Sequence, residues 1–364
     1  MRAEYAFAQV ERWVRSEAMV ELLGMFDDKV DDDDLTGWLH LNEDLPEWLT
    51  EDATLDGLTA EQAELIRHTL KVERAAARSF NFRTPDGSSY RERSQAVSAD
   101  FDDGTRARIA GLANRLGLVD AGEPKYTAYD KTLILGGGYR SPLLRTKYAG
   151  QLRQQGTELG ELSFLGSPRF LIEDDERPEK PVTEQYAPGA TDEFGLMIGA
   201  ARAELGLRAS EIDFLCGCAA ADGICPVWPY DSDETPPEFT HERRAPLAGP
   251  DGRTEGSVLS ACTSRPPYRP DTADTLGLWA RCARPAVQHR ILLVTTRVFV
   301  PFQQFDALRR IYLPYGAEVD TVGFGPEWGD RPINAEYLLQ EALSGIRSGR
   351  RLLLAAAEAL AEGR

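Results

Sequence analysis

Three consecutive glycines, Gly136, Gly137 and Gly138, follow the apolar run Thr132–Leu135, and Arg140 stands two residues beyond the last of them. A strand that ends in glycine lets backbone N–H groups come close to a ligand, and a helix opening behind it offers its positive end, so the pairing suits an anion. The same combination recurs. "LSFL" is followed by Gly166, Ser167 and Arg169; "SVLSA" by Thr263, Ser264 and Arg265, with Arg269 close behind; "ILLV" by Thr295, Thr296 and Arg297. A guanidinium matches phosphate or carboxylate through a planar fork of donors. Several of them crowded along one edge repel one another unless an anion lies between them. Two carboxylates, Glu193 and Asp274, are the candidates for general base or metal ligand. Each also has a plain structural reading: Glu193 as a carboxylate favoured at a helix N-terminus, and Asp271 and Asp274 as caps within "PDTADT". "GGGYRS" is not the G-x-G-x-x-G fingerprint, and taken alone it also fits a tight strand-to-helix turn.

These residues must be held by elements that bring them together. From about residue 130 the chain alternates apolar strand-like runs with amphipathic helical ones, in the order "KTLIL", "ELSFLG", "EIDFLCG", "GSVLSA", "RILLVTT" and "AEVDTVGF". Such alternation predicts an α/β domain, a mostly parallel Rossmann-like sheet with helices on both faces. All strand carboxyl ends then share one edge, and a ligand binds where the strand order reverses. Residues 1–125 read as an α-helical N-terminal region and 126–364 as the Rossmann-like domain, interrupted by an irregular insertion at about 218–256. Thr59 three residues before Gln62 forms a capping-box pattern. "DDKVDDDDL", at Asp27–Leu35, lacks the alternating ligands, central glycine and distal glutamate of a calcium loop and reads as a solvated acidic loop.

The order of the strand-end motifs resembles the SanA/ElyC/YdcF-type family of Rossmann-like domains. The matching stretches are "LILGGGYR", "FLGSPR", Glu193 with Met197 in "DEFGLMIGAARAELG", "DTADTLGLWA" and "ILLVTTRVFVPFQQF", within about residues 130–325. The resemblance implies nucleotide-like or phosphorylated ligands and a place in cell-envelope or small-molecule metabolism. The chain departs from the family at two positions, with Phe299 where the family has a histidine and Phe302 where it has an arginine. The family's Ser-Gly-Gly turn is here Gly166-Ser167-Pro168. None of His40, His68, His241 and His289 falls in a strand-end turn, so histidine acid–base catalysis finds no support.

Composition narrows the classes. The 364 residues carry a formal net charge of −18, which argues against nucleic acid or an anionic membrane surface as the main partner. No uncharged apolar run reaches the roughly 20 residues of a membrane span, and the first 26 residues do not read as a secretory signal, so a cytoplasmic location is expected. Only six of the 41 basic residues are lysine, so nearly every cation is a planar fork. Of the five cysteines, Cys216, Cys218 and Cys225 read C-G-C-x6-C, which matches no standard zinc spacing, and reduced thiols are expected. The expectation is a cytoplasmic enzyme that binds an anionic, nucleotide-like or phosphorylated small molecule and catalyses group transfer. A nucleotide or S-adenosylmethionine fits as ligand or cofactor, a divalent metal is compatible with the carboxylates, and an oligomer is open. Two alternatives stand beside it: a phosphoester hydrolase, and a non-catalytic ligand- or protein-binding module in which Phe299, Phe302, Phe305 and Trp279 stack on a base or pack a core.

Overall fold

The computed structural model describes residues 1–26, 57–82, 98–171, 173–174, 177–178, 180–216, 241–264, 270–329 and 333–363. Its main helices are α1 (Arg2–Val14), α2 (Glu17–Gly24), α3 (Ala60–Ser79), α4 (Asp103–Arg115), α5 (Ser141–Gln154), α6 (Glu193–Leu205), α7 (Thr272–Ala283), α8 (Val300–Ala307) and α9 (Ala335–Ala361). Strands β1 (Lys131–Leu135), β2 (Glu161–Gly166), β3 (Arg208–Ala209), β4 (Asp213–Phe214), β5 (Arg243–Ala248), β6 (Thr254–Ser260), β7 (Arg290–Thr296) and β8 (Glu318–Phe324) form one sheet. A separate two-residue ribbon pairs Glu173–Asp174 with Arg177–Pro178.

The chain divides into two compact units: Met1–Asp120 with Val298–Pro314 and Arg331–Arg364, and Ala121–Arg297 with Tyr315–Asp330. The first unit is helical. Its core gathers Phe7, Val10, Leu22, Ile66, Leu70, Ile109, Phe305, Leu339, Leu343 and Leu353. The 27-residue α9 packs against α1, α3, α4 and α8, which is why the C-terminal helix groups with the N-terminal ones and not with the sheet. Small residues make the approach possible: a side chain at Gly345 would meet the Trp13 ring at 2.6 Å. Thr59 and Gln62 form the expected reciprocal cap of α3. α1 and α2 are separate helices because Ser16 turns out of the helix and caps α2 by accepting from the Met19 amide.

The second unit is the α/β body. Five strands run parallel in the order β8-β7-β1-β2-β6, and β5, antiparallel to β6, carries β3 and β4 antiparallel on its far side. Numbered among the parallel strands alone this is 5-4-1-2-3, the doubly wound order, with its reversal between β1 and β7. Helices α5 and α6 cover the face that presents Ile134, Leu162, Phe164, Val294 and Phe324. On the other face α7 packs on β2 and β6, and the Trp279 indole N–H donates to the Ser163 hydroxyl at 3.1 Å. Two features differ from the pattern expected of the sequence. Arg243–Ala248, inside the segment read as an irregular insertion, is a full strand that alternates buried and half-buried residues despite Pro246. "EIDFLCG" yields only the two-residue strand Asp213–Phe214, paired with β5. Residues 217–240 and the acidic stretch Asp27–Leu35 lie outside the described residues.

Candidate functional site

Every strand-end turn singled out in the sequence, apart from Arg265 and Arg269, is found on the carboxyl edge of the parallel strands. At the reversal point, β1 ends into Gly136–Gly138 and β7 ends into Thr295, Thr296 and Arg297. The glycines are required by close approach. A Cβ on Gly136 would lie 2.5 Å from the Leu165 carbonyl oxygen of β2, and one on Gly137 would lie 3.2 Å from Ser141 Cβ and 3.4 Å from Arg145 Nη1. Tyr139 then takes a left-handed backbone (φ 60°), rare for a residue with a side chain, and its carbonyl is fixed by the Tyr186 hydroxyl at 2.7 Å. Arg140 precedes α5 and is exposed, with its guanidinium 5.8 Å from the Tyr139 ring centroid.

The arginine that reaches the glycine turn is Arg145, a turn further along α5. Its side chain is almost wholly buried; the guanidinium donates to the carbonyls of Leu135 (3.0 Å) and Gly136 and contacts Thr296 Oγ1 at 3.3 Å. It thus ties the ends of β1 and β7 together across the reversal. Sequence reading missed it because an arginine inside a helical pattern looks like part of a solvated face; the one available signal was its place just behind the glycine turn. Thr295 points to the opposite face from Thr296, and its buried hydroxyl has no hydrogen-bond partner among the described residues. Arg297 opens a 3-10 turn and lies against Gly122, where a Cβ would come 2.5 Å from its Nη1. It also lies near Tyr148. Burial pushes the Tyr148 phenol above its ordinary value, and the Arg297 charge works against that rise.

At the end of β2 the residues form a bonded group. Gly166 lets the start of α6 approach, since a Cβ there would be 3.3 Å from the Glu193 carbonyl oxygen and from the Phe194 nitrogen. The Ser167 hydroxyl donates to Glu193 Oε2 at 2.7 Å, Arg169 Nη1 donates to Glu193 Oε1 at 3.2 Å, and the Arg169 amide reaches Ser167 Oγ at 3.3 Å. Glu193 and Ser167 are both buried. Arg169 is therefore engaged by a carboxylate, and Glu193 is held on both oxygens instead of standing as a free helix-end charge. Next to it Asp192 caps α6 through the Gly195 amide (2.9 Å) and pairs with Arg243, whose guanidinium sits 4.4 Å from the Phe194 ring centroid. Sequence reasoning missed Arg243 because β5 itself was not read as a strand.

At the end of β6, Asp274 accepts from the Ser264 amide (3.0 Å) and hydroxyl (2.6 Å) through one oxygen and from the Asp271 amide (3.0 Å) through the other. With Asp271 it completes a capping box for α7. Both oxygens are spent on the cap, so of its two readings the structural one accounts for Asp274, and it carries no catalytic role below. Thr263 is buried at the strand end. Arg265 and Arg269 lie outside the described residues. Phe299 and Phe302 are buried in the core of the helical unit, their rings 5.9 Å apart and Phe299 6.3 Å from Tyr337; packing explains them, not stacking on a ligand. Among the described residues no group of three or more His, Cys, Asp or Glu side chains is placed to hold a metal ion, and no helix is long and apolar enough to cross a membrane.

Fold and site together define a doubly wound α/β domain with a glycine turn at its strand-order reversal. The chain is similar to uncharacterized proteins of Mycobacterium bovis and Mycobacterium tuberculosis, 32% identical over 257 residues. That similarity covers 68% of this chain and spans 66%, just under two thirds, of the length of each of these relatives. No protein-family model and no solved structure matches the chain.

Proposed function

We propose that the α/β unit binds an anionic, nucleotide-like or phosphorylated small molecule at the carboxyl edge of its parallel strands and catalyses transfer of a group from or to it. One observation carries the reading: the strand order reverses between β1 and β7, and the residues at those two strand ends are Gly136–Gly138 and Thr295–Arg297. Open sheets of this order bind ligands at that crevice. Gly137 and Gly138 present a backbone without side chains, the N-terminal end of α5 stands behind them, and Arg140 is exposed beside them to meet an anion. Arg145 supplies fixed positive charge beneath the turn without needing to move.

In this reading Glu193 is the general base. Ser167 and Arg169 hold its two oxygens in place, so that an acceptor hydroxyl or amine of the ligand delivers its proton to a carboxylate already oriented. The motif order shared with the SanA/ElyC/YdcF-type family agrees with a phosphorylated or nucleotide-like ligand and belongs to the same proposal. Cytoplasmic action on a soluble metabolite is part of it as well.

The test is a thermal-shift panel of nucleotides, S-adenosylmethionine and sugar phosphates on the full chain. A ligand at 100 times its Kd stabilises by about 2.7 kcal/mol, a readily visible shift. The expected result is a shift with at least one phosphorylated member that is lost in Arg140→Ala, an exposed position whose truncation leaves folding intact. No shift across the panel, or an undiminished shift in the variant, overturns the reading.

A further inference from the structure

The carboxyl edge also carries an aromatic side chain that the site above leaves unused. The register of β7 and β8 sets Thr296 opposite Phe324, and Thr296 is the residue whose hydroxyl meets Arg145 beneath the glycine turn. Phe324 closes β8, and the 3-10 turn Pro326–Trp328 brings the Trp328 indole back onto it. The two rings are stacked, with centroids 5.2 Å apart and planes 30° from parallel. Tyr148 of α5 makes T-shaped contacts with both, 5.8 Å from Phe324 and 5.5 Å from Trp328. Phe324 and Tyr148 are buried, whereas Trp328 is only partly covered. With Phe324 on one face of the indole, the other is the face that the exposed Lys147 ammonium approaches, 5.8 Å from the centroid. A cation over a ring at an exposed position is held weakly, so another flat group can displace it. The same corner is cationic. Arg297, at the end of β7, lies against Gly122, and the Tyr148 hydroxyl donates to the Gly122 carbonyl at 3.2 Å.

We propose that Trp328 is the platform on which the base of a nucleotide ligand stacks. This rests on the anion site proposed at the glycine turn, and it narrows the ligand from phosphorylated molecules in general to nucleoside phosphates. The spacing fits. β1, β7 and β8 are neighbours in the sheet, so the end of β8 stands two strand spacings, about 10 Å, from the end of β1. A phosphate over Gly137 and Gly138 and a base on the indole are then joined by a ribose that crosses the end of β7, beside Arg297. Phe324 and Tyr148 fix the indole from behind and from the edge, so little side-chain freedom is lost when a base settles on it. Every base has a π-face, so stacking on a flat ring selects for a base without selecting which one.

Titration calorimetry on the full chain compares AMP, GMP and UMP with ribose 5-phosphate, which carries the same phosphate and sugar but no base. The expected result is that the nucleotides bind roughly fivefold to a hundredfold tighter than the sugar phosphate, the range that stacking one base supplies. Trp328→Ala is expected to remove that margin while leaving ribose 5-phosphate binding unchanged. Equal affinities in the native chain, or a nucleotide margin that survives Trp328→Ala, overturns the platform and leaves the anion site standing. If none of the four ligands binds, the anion site itself fails and the platform with it. Should the truncation fail to fold, Trp328→Phe keeps a ring on Phe324 and the readout moves to fluorescence. Nucleotides are then expected to quench indole emission in the native chain and not in this variant; equal quenching in both overturns the platform.

Discussion

At the residue scale, two side chains separate structure from chemistry at the strand edge. Arg145 holds the carbonyls of Leu135 and Gly136 and contacts Thr296, so replacing it leaves buried acceptors without donors. Arg145→Met is expected to cost about 2–4 kcal/mol in urea unfolding, and a loss below about 1 kcal/mol contradicts the cross-link described here. Glu193→Gln is the complementary change. The amide keeps the shape and can still meet Ser167, but it takes no proton, so ligand binding is expected to persist while group transfer falls by about 10²-fold or more. Equal loss of binding and turnover would make Glu193 a binding or structural residue. The sequence announced Glu193, Ser167 and Arg169 individually but not their mutual bonding, because carboxylates and arginines in turns usually face water. Arg145 was invisible for the opposite reason: buried arginines inside helices are rare enough that a helical pattern assigns them to the surface. Asp274 was visible as a cap from "PDTADT" alone, and its hydrogen bonds agree.

At the element scale, the parallel strands were legible because strands buried on both faces are apolar nearly throughout, as "TLIL", "LSFL" and "ILLV" are. β5 was not. "RRAPLA" alternates, carries two arginines and a proline, and so lacks the run that marks a central strand; its neighbours β3 and β4 are two residues each. Glycines report the packing between elements. Gly256 in β6 sits where a Cβ would fall 1.9 Å from the Leu162 carbonyl oxygen of β2, whereas Gly150 in α5 faces only the Leu205 side chain at 3.5 Å. Gly256→Ala is expected to destabilise by about 2 kcal/mol or more, since backbone must move. Gly150→Ala is expected to stabilise by about 0.5–1 kcal/mol through helix propensity. Thermal unfolding of the two variants checks both, and the same sign in each would contradict the packing given for β6 on β2.

At the scale of the whole molecule, the chain is two compact units, and its first segment of sequence does not delimit the first of them. The C-terminal α9 belongs with the N-terminal helices, a long-range pairing that local pattern cannot disclose. It is fixed by an ion pair. Burial pushes the Glu336 carboxyl up, and hydrogen bonds from Arg106 and the Ala99 amide outweigh burial and hold it below the ordinary carboxylate range. A carboxyl lowered in the folded state contributes stability above its unfolded value, near 4.3, and loses it as pH falls through the folded value. Arg106→Gln is therefore expected to destabilise the helical unit more at pH 7 than at pH 4, read from urea midpoints. Equal loss at both values would remove the ion pair from the account. In the α/β unit Lys125 is raised by its hydrogen bond to Glu318, and Tyr129 by burial and then Asp320. Their contributions are complete below about pH 10 and are lost as pH rises beyond it, so alkaline unfolding should begin there.

The claim on which the functional reading rests is that a phosphorylated ligand sits over the glycine turn between β1 and β7. Amide hydrogen exchange, mapped by mass spectrometry on the full chain with and without the panel member that stabilises it most, measures this directly. The account predicts slowed exchange concentrated in 136–140, 166–169 and 295–297. Protection confined to other peptides, or unchanged exchange in these three stretches at saturating ligand, would contradict it.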